Sequence, residues 1–158
     1  MTSIDLERSP AVSKAANESS PALDSSLRWS PQFETGIPLL DSDHRAMVAL
    51  INRAAGEAAA GYRESLAITL RELRRISAEH FLRETAVLRS FIASPDKPEA
   101  APAMRLRLLD GVIAEVETLP PGRVAAEALA SVAQRLTDWF LRQTVGQDAK
   151  LRAYFEPR

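Results

Sequence analysis

The chain has 158 residues, of which 46% are hydrophobic and 26% charged, and its formal net charge is -1. This length is sufficient for one buried core, and the composition is that of an ordinary globular domain. The near-zero net charge provides no global field towards nucleic acid or an anionic membrane surface. The absence of cysteine excludes disulfides, thiolate metal sites and cysteine nucleophiles.

The sequence carries no signal for a membrane or for secretion. No apolar run approaches the roughly 20 residues that a membrane span requires. The N-terminal residues include acids and serines but no apolar segment of the kind found in a secretory signal. We therefore expect a cytoplasmic protein that binds neither a membrane nor nucleic acid.

The N-terminal part of the chain changes character at Trp29. Residues 1–28 are rich in Ser, Ala and Pro and lack aromatic residues. Such a segment buries too little apolar surface to offset the entropy of ordering it, so we predict a disordered tail before a domain at 29–158. The stretch WSPQFETGIPLLDSDH follows, and its prolines, Pro31 and Pro38, oppose regular helix. It predicts an irregular arm that packs on the core.

Helical periodicity dominates the rest of the chain. Apolar residues recur at helical spacing in four segments separated by Gly and Pro, and no alternating pattern indicates a strand. Asp41 or Ser42 is expected to cap the first segment. The pattern predicts an all-α protein, an antiparallel up-down four-helix bundle with an irregular N-terminal arm. The segments are about Ser42 to Ala60, Arg63 to Ile92, Glu99 to Thr118, and Arg123 towards Tyr154.

Three polar residues lie on faces that are otherwise apolar. His80 and Glu84 are one helical turn apart on the second segment, and His44 lies on the core-facing stripe of the first. Burying Glu84 as an ion would be costly without a partner. Helical bundles commonly hold metals through side chains that converge from facing helices, so two histidines and a carboxylate indicate a metal site. The alternative is that His80 and Glu84 bond to each other, or that an arginine neutralises Glu84.

The context of these residues resembles that of a known family. The arm with its T-G-I step and the following D-S-D-H-R resemble the N-terminal signature of bacterial hemerythrins. AEHFLRE resembles their second-helix signature H-F-x-x-E. LTDWFLRQTVGQD resembles the fourth-helix signature, in which W-x-x-x-H precedes Asp by five residues. The resemblance extends from Trp29 to about Tyr154.

This resemblance implies a bundle that holds two irons and binds oxygen. One iron would take His44 and His80, and Glu84 and Asp148 would match the carboxylates that bridge the metals. The second iron requires three more histidines, two on the third helix and one on the fourth. The third-helix region, KPEAAPAMRLRLL, contains no histidine at the expected positions, which are Glu99 and Ala103 or Ala100 and Met104. Gln143 replaces the histidine of the fourth helix.

The ligands that the resemblance implies for one metal are thus all present in the sequence, whereas the three histidines of the other metal are all absent. His44, His80, Glu84 and Asp148 would suit one iron ion, or Mn or Zn. Regular helix places residues five apart on different faces, so Asp148 reaches the site only if the helix deviates, and Gly146 would permit a π-bulge there. Reversible oxygen binding as peroxide needs one electron from each of two irons, so ordinary oxygen carriage is expected to be lost.

Three functions remain open. The first is a hemerythrin-like protein that keeps one metal ion and senses or binds a small ligand, such as oxygen, or the metal itself. The second is a metal-free regulatory or interaction module, in which the Arg-rich faces RELRR and MRLRLL contact a protein partner. Such charge runs are also common on solvated helix faces. The third is an enzyme with an open metal site, for which the sequence identifies no second acid and no substrate pocket.

Overall fold

A computed structural model describes residues 26–91, 101–147 and 151–152. Over these ranges the chain is helical, without a β-strand, and its four α-helices pack against one another, so the predicted all-α class with four helices is confirmed. None of the described helices is both long and apolar enough to cross a bilayer. The helices are α1 Pro38–Ala60, α2 Arg63–Phe91, α3 Pro102–Thr118 and α4 Val132–Leu141; the shorter elements are 3-10 turns at Pro31–Phe33 and Ala126–Leu129 and a π-helical turn at Arg142–Gln147.

Helix α1 begins at Pro38, earlier than the predicted Ser42. Proline suits the first turn of a helix because the N–H that it lacks would have no helical partner there. The N-cap is Ile37 without a side-chain cap, so the predicted capping by Asp41 or Ser42 is wrong. Asp41 instead accepts hydrogen bonds from the backbone N and the Oγ1 of Thr35, at 2.6 and 2.8 Å. These bonds fix the end of the arm to the first turn of α1.

The core lies between the four helices. Helix α1 packs against both α2 and α4, and α2 also packs against α3. Burial of each large apolar side chain contributes about 1.5–3 kcal/mol, so this shared core holds the helices in register. Core side chains from all four helices are Met47, Ile51, Leu70, Leu73, Leu109, Val112, Leu136 and Phe140.

The arm packs on this core as predicted. Phe33 is buried, and its ring meets those of Trp29 and Phe140 edge to face, with centroids 5.6 and 5.1 Å apart. The Asn52 side chain accepts a hydrogen bond from the backbone N of Leu27 at 2.7 Å and donates one to its carbonyl at 3.0 Å. The arm is therefore attached to α1 from Leu27 onwards. The remainder of the predicted tail, residues 1–25, lies outside the described ranges.

Helix α4 continues into a π-helical turn at Arg142–Gln147. Gly146, the residue that would permit a π-bulge, lies within this turn. The wider turn changes which residues share a face, because its hydrogen bonds close from i to i+5. Asp148, for which this deviation was required, lies outside the described residues.

Helices α1 and α2 are joined at Gly61, and this turn gives a test of the fold. Gly61 has φ +72° and a Cβ there would lie 2.2 Å from the carbonyl oxygen of Val124. We expect Gly61→Ala to lower the free energy of unfolding by about 2 kcal/mol or more, since the left-handed conformation alone costs about 1–2 kcal/mol. Chemical denaturation measures the change.

Gly56 is the matched control, because it is an exposed glycine within α1 and a Cβ there meets nothing within 4 Å. Gly56→Ala should raise the free energy of unfolding by about 0.5–1 kcal/mol through helix propensity. Equal effects of the two substitutions would contradict the conformation assigned to Gly61.

Candidate functional site

The two histidines of the chain meet in the core. His44 on α1 is 0% exposed and His80 on α2 is 1% exposed. Their Nε2 atoms are 3.2 Å apart and their ring centroids 4.6 Å apart. The contact between α1 and α2 thus brings together two residues that are 36 positions apart in the sequence.

The outer nitrogen of each ring faces an acceptor. His44 Nδ1 lies 2.5 Å from the carbonyl oxygen of Phe33, in the arm. His80 Nδ1 lies 3.3 Å from Oδ2 of Asp43, which also accepts a hydrogen bond from Arg83 at 2.7 Å. A carbonyl and an ionised carboxylate only accept, so each Nδ1 must carry the proton to make a favourable contact. The arm and Asp43 therefore orient the two rings.

These contacts at Nδ1 determine whether Nε2, the nitrogen of each ring that faces the other histidine, carries a proton or a lone pair. A neutral imidazole with its proton on Nδ1 has a lone pair on Nε2. When both rings are neutral, the Nε2 atoms of His44 and His80 therefore face each other with two lone pairs in the buried core. Either an additional proton or a cation between them would remove the repulsion.

The protein environment opposes the extra proton on His80. The pKa of His80 is lowered from 6.5 to about 2, first by burial and then by the charge of His44 in its protonated form and the charges of Arg105 and Arg83. A charged imidazole at this position would be shielded from solvent and would have cations nearby. His80 is therefore neutral in the folded protein, and its Nε2 faces Nε2 of His44.

Glu84 is the third candidate ligand, and it has a protein partner. Its side chain is almost fully buried, one helical turn beyond His80. It forms a salt bridge through Oε2 with the guanidinium of Arg105 on α3, whose side chain is 8% exposed. The alternative in which an arginine neutralises Glu84 is therefore found in the structure.

Arg105 also contacts Gln143, the residue at the position where a fourth-helix histidine was expected. Its Nε donates a hydrogen bond to Oε1 of Gln143, at 2.7 Å. Ala103 and Met104, two of the positions expected to carry histidines, are exposed. These residues do not fit a second metal ion, since an amide oxygen and a carboxylate bound to arginine form a poor ligand set.

Of the four predicted ligands, the structure brings His44 and His80 together and places Glu84 on the same helix as His80. Asp148 lies outside the described residues. Within residues 26–91, 101–147 and 151–152, no group of three or more His, Asp or Glu side chains is placed to hold a metal ion.

Three features of the site were missed in the sequence. Asp43 precedes His44 directly, and an acid beside a candidate ligand is the signal that marks it. The Phe33 carbonyl is a backbone group, which no sequence pattern reveals. Arg105 lies in MRLRLL, which was interpreted as a solvated or partner-binding face, but its side chain is buried. The arginines of RELRR that reach α3 form ion pairs there, Arg71 with Glu117 and Arg74 with Asp110.

Comparison with known proteins adds no assignment to this geometry. No protein-family model matches the chain, and no curated protein matches it significantly.

Burial of neutral His80 predicts a pH dependence of stability. Its pKa is about 2 in the folded protein and near 6.5 in the unfolded chain, so between these values only the unfolded chain binds the proton. The contribution is complete above pH 6.5 and is lost as the pH falls, at about 1.4 kcal/mol per pH unit. Urea unfolding at pH 6.5 and 5.0, in the presence of EDTA, measures it.

His80→Gln is the comparison variant, because it removes this titrating group while keeping a polar side chain. The wild type should lose about 2 kcal/mol more than the variant between the two pH values. Parallel pH profiles for the two proteins would show that His80 is not buried in neutral form.

Proposed function

We propose that this protein is a degenerate hemerythrin-like bundle that binds a single divalent cation between His44 and His80. The observation that carries the proposal is the pair of Nε2 atoms 3.2 Å apart, each on a ring whose Nδ1 faces an acceptor. Histidine ligands of metals usually donate their other N–H to a carbonyl or a carboxylate, which fixes the tautomer. The Phe33 carbonyl and the Asp43 carboxylate are partners of this kind.

The distance between the two nitrogens suits a shared ion. Two ligands at about 2.1 Å from one metal, subtending 90–110°, lie about 3.0–3.4 Å apart. Iron, manganese and zinc all accept imidazole together with carboxylate. When bound, such an ion would offer an open coordination position to water or a small ligand.

Further ligands would come from carboxylates near the pair. A carboxylate has two oxygens, so the salt bridge between Arg105 and Oε2 of Glu84 does not by itself prevent Glu84 from serving as a ligand. Asp148 is the other candidate, and the π-helical turn before it supplies the deviation that its spacing from Gln143 requires. We further propose the antiparallel up-down order, since only Gly61 and Tyr62 separate α1 from α2.

A site with one ion instead of two would not support oxygen carriage of the usual hemerythrin kind. We propose that the protein senses or binds a small ligand, or the metal itself, in the cytoplasm, without contacts to nucleic acid or membrane. The Arg105–Gln143 contact supports this proposal, because it fills the region that a second iron would need.

A second candidate function is a metal-free module that binds a protein partner. The observation in its favour is the salt bridge between Arg105 and Glu84, which compensates the buried carboxylate without any metal. In that case the two histidines would share a proton in spite of the cost. The two candidates predict different metal contents, so a direct measurement of bound metal distinguishes them.

The deciding experiment is elemental analysis of the full chain, purified without chelator and then reconstituted separately with Fe(II), Mn(II) or Zn(II). We expect about one ion per chain in the wild type and close to none in His44→Gln and His80→Gln. Glu72→Gln, a half-exposed position on α2, is the control and should bind like the wild type. Metal content near zero in the reconstituted wild type would refute the metal site and leave the metal-free module.

Asp43 provides a second test of the same site, because it contacts His80 only through the outer nitrogen. Asp43→Asn should lower the metal affinity by about 10–100-fold, since such supporting groups orient the ligand. A Co(II) titration followed by absorbance measures the affinity. An unchanged affinity would show that Asp43 does not set the orientation of His80.

A further inference from the structure

We propose that the bundle core contains a second cation pocket, which shares Glu84 with the proposed metal site and which the guanidinium of Arg105 fills. Three unlike groups from two elements surround this guanidinium. They are the carboxylate of Glu84 on α2, the amide oxygen of Gln143 in the π-helical turn, and the ring face of Phe81 on α2. Each presents negative charge or negative potential, so together they form a site for a cation.

The geometry suits a planar cation in particular. The Cζ atom of Arg105 lies 3.7 Å from the centroid of the Phe81 ring. One nitrogen of the guanidinium binds Glu84, and Nε donates to Gln143 at 2.7 Å. A flat, weakly hydrated ion with donors around its edge can stack on a ring and donate to oxygens at the same time, whereas a compact ammonium cannot.

The helix that supplies Arg105 is fixed at this point. The indole Nε1 of Trp139 on α4 donates a hydrogen bond to the backbone carbonyl of Arg105, at 2.8 Å. Trp139 also packs against Phe81, with ring centroids 6.3 Å apart. The aromatic wall of the pocket, Phe81, and the backbone of Arg105 are therefore held by contacts that do not involve the guanidinium. Removing the side chain should leave the pocket in place with a buried carboxylate that lacks its cation.

The ligand class follows from this construction. A pocket without the Arg105 side chain should bind small guanidinium ions, such as methylguanidinium, in preference to ammonium or sodium. Arg105→Ala is therefore expected to lower Tm by about 10 °C, because breaking a buried ion pair is strongly destabilising. Millimolar methylguanidinium should restore part of that loss by binding only the folded state.

Differential scanning fluorimetry in EDTA tests this proposal independently of any metal at the histidines. Arg107→Ala is the control, since Arg107 lies on the same helix and is exposed. Methylguanidinium should raise Tm for Arg105→Ala only, and equal concentrations of methylammonium or sodium chloride should have no such effect. The same response in both variants would overturn the proposal.

A double-substitution cycle covers the case in which Arg105→Ala does not fold. Arg105→Met and Glu84→Gln each leave one partner behind, whereas the double variant removes both charges at similar volume. We expect the double variant to have a higher Tm than Arg105→Met alone. A double variant with Tm equal to or below that of Arg105→Met would show that Arg105 does not compensate Glu84.

Discussion

The contact between two buried imidazoles is the constraint on which the rest of the structure depends. A core normally rejects polar groups unless they find partners. Each ring satisfies its outer nitrogen with a fixed acceptor, one from the arm and one from the residue before His44. The inner nitrogens are then opposed at 3.2 Å, and the burial that holds them there also makes protonation of His80 unfavourable. The proposed cation resolves a conflict that the fold itself creates.

The same core balances its other charges internally. Glu84 would be expensive as an isolated ion, and Arg105 brings a positive charge to it from a different helix. On one side of the core the charge of Glu84 is thus balanced by Arg105, and on the other side two imidazoles face each other through their Nε2 atoms. This asymmetry agrees with the proposal of one metal ion instead of two.

Much of this arrangement could be predicted from the sequence, and the reason lies in periodicity. Stripes of apolar residues locate helices, so α2 begins at the predicted Arg63 and α3 ends at the predicted Thr118. His44 and His80 lie on those stripes, so the sequence predicts that their side chains are buried. The start of α1 was placed too late because Pro38 was interpreted only as an obstacle to helix, although it is favourable in the first turn.

Contacts that depend on tertiary structure could not be predicted from the sequence. Arg105 lies in a basic run typical of solvated faces, and only the packing of α3 against α2 turns its side chain towards Glu84. The role of the Phe33 carbonyl could not be predicted either, because backbone acceptors have no sequence signature. The role of Asp43 could have been predicted, because this acid directly precedes His44, which is a candidate ligand.

The position of that carbonyl also makes the arm a participant in the chemistry of the core. Whatever stabilises the proton on Nδ1 of His44 also strengthens the hold of the arm, because both depend on one hydrogen bond. By thermodynamic linkage the reverse holds with equal free energy. Binding of the proposed cation at the Nε2 atoms and attachment of the segment from Leu27 to Phe33 are therefore expected to be coupled equilibria. A change in one would then be detectable as a change in the other.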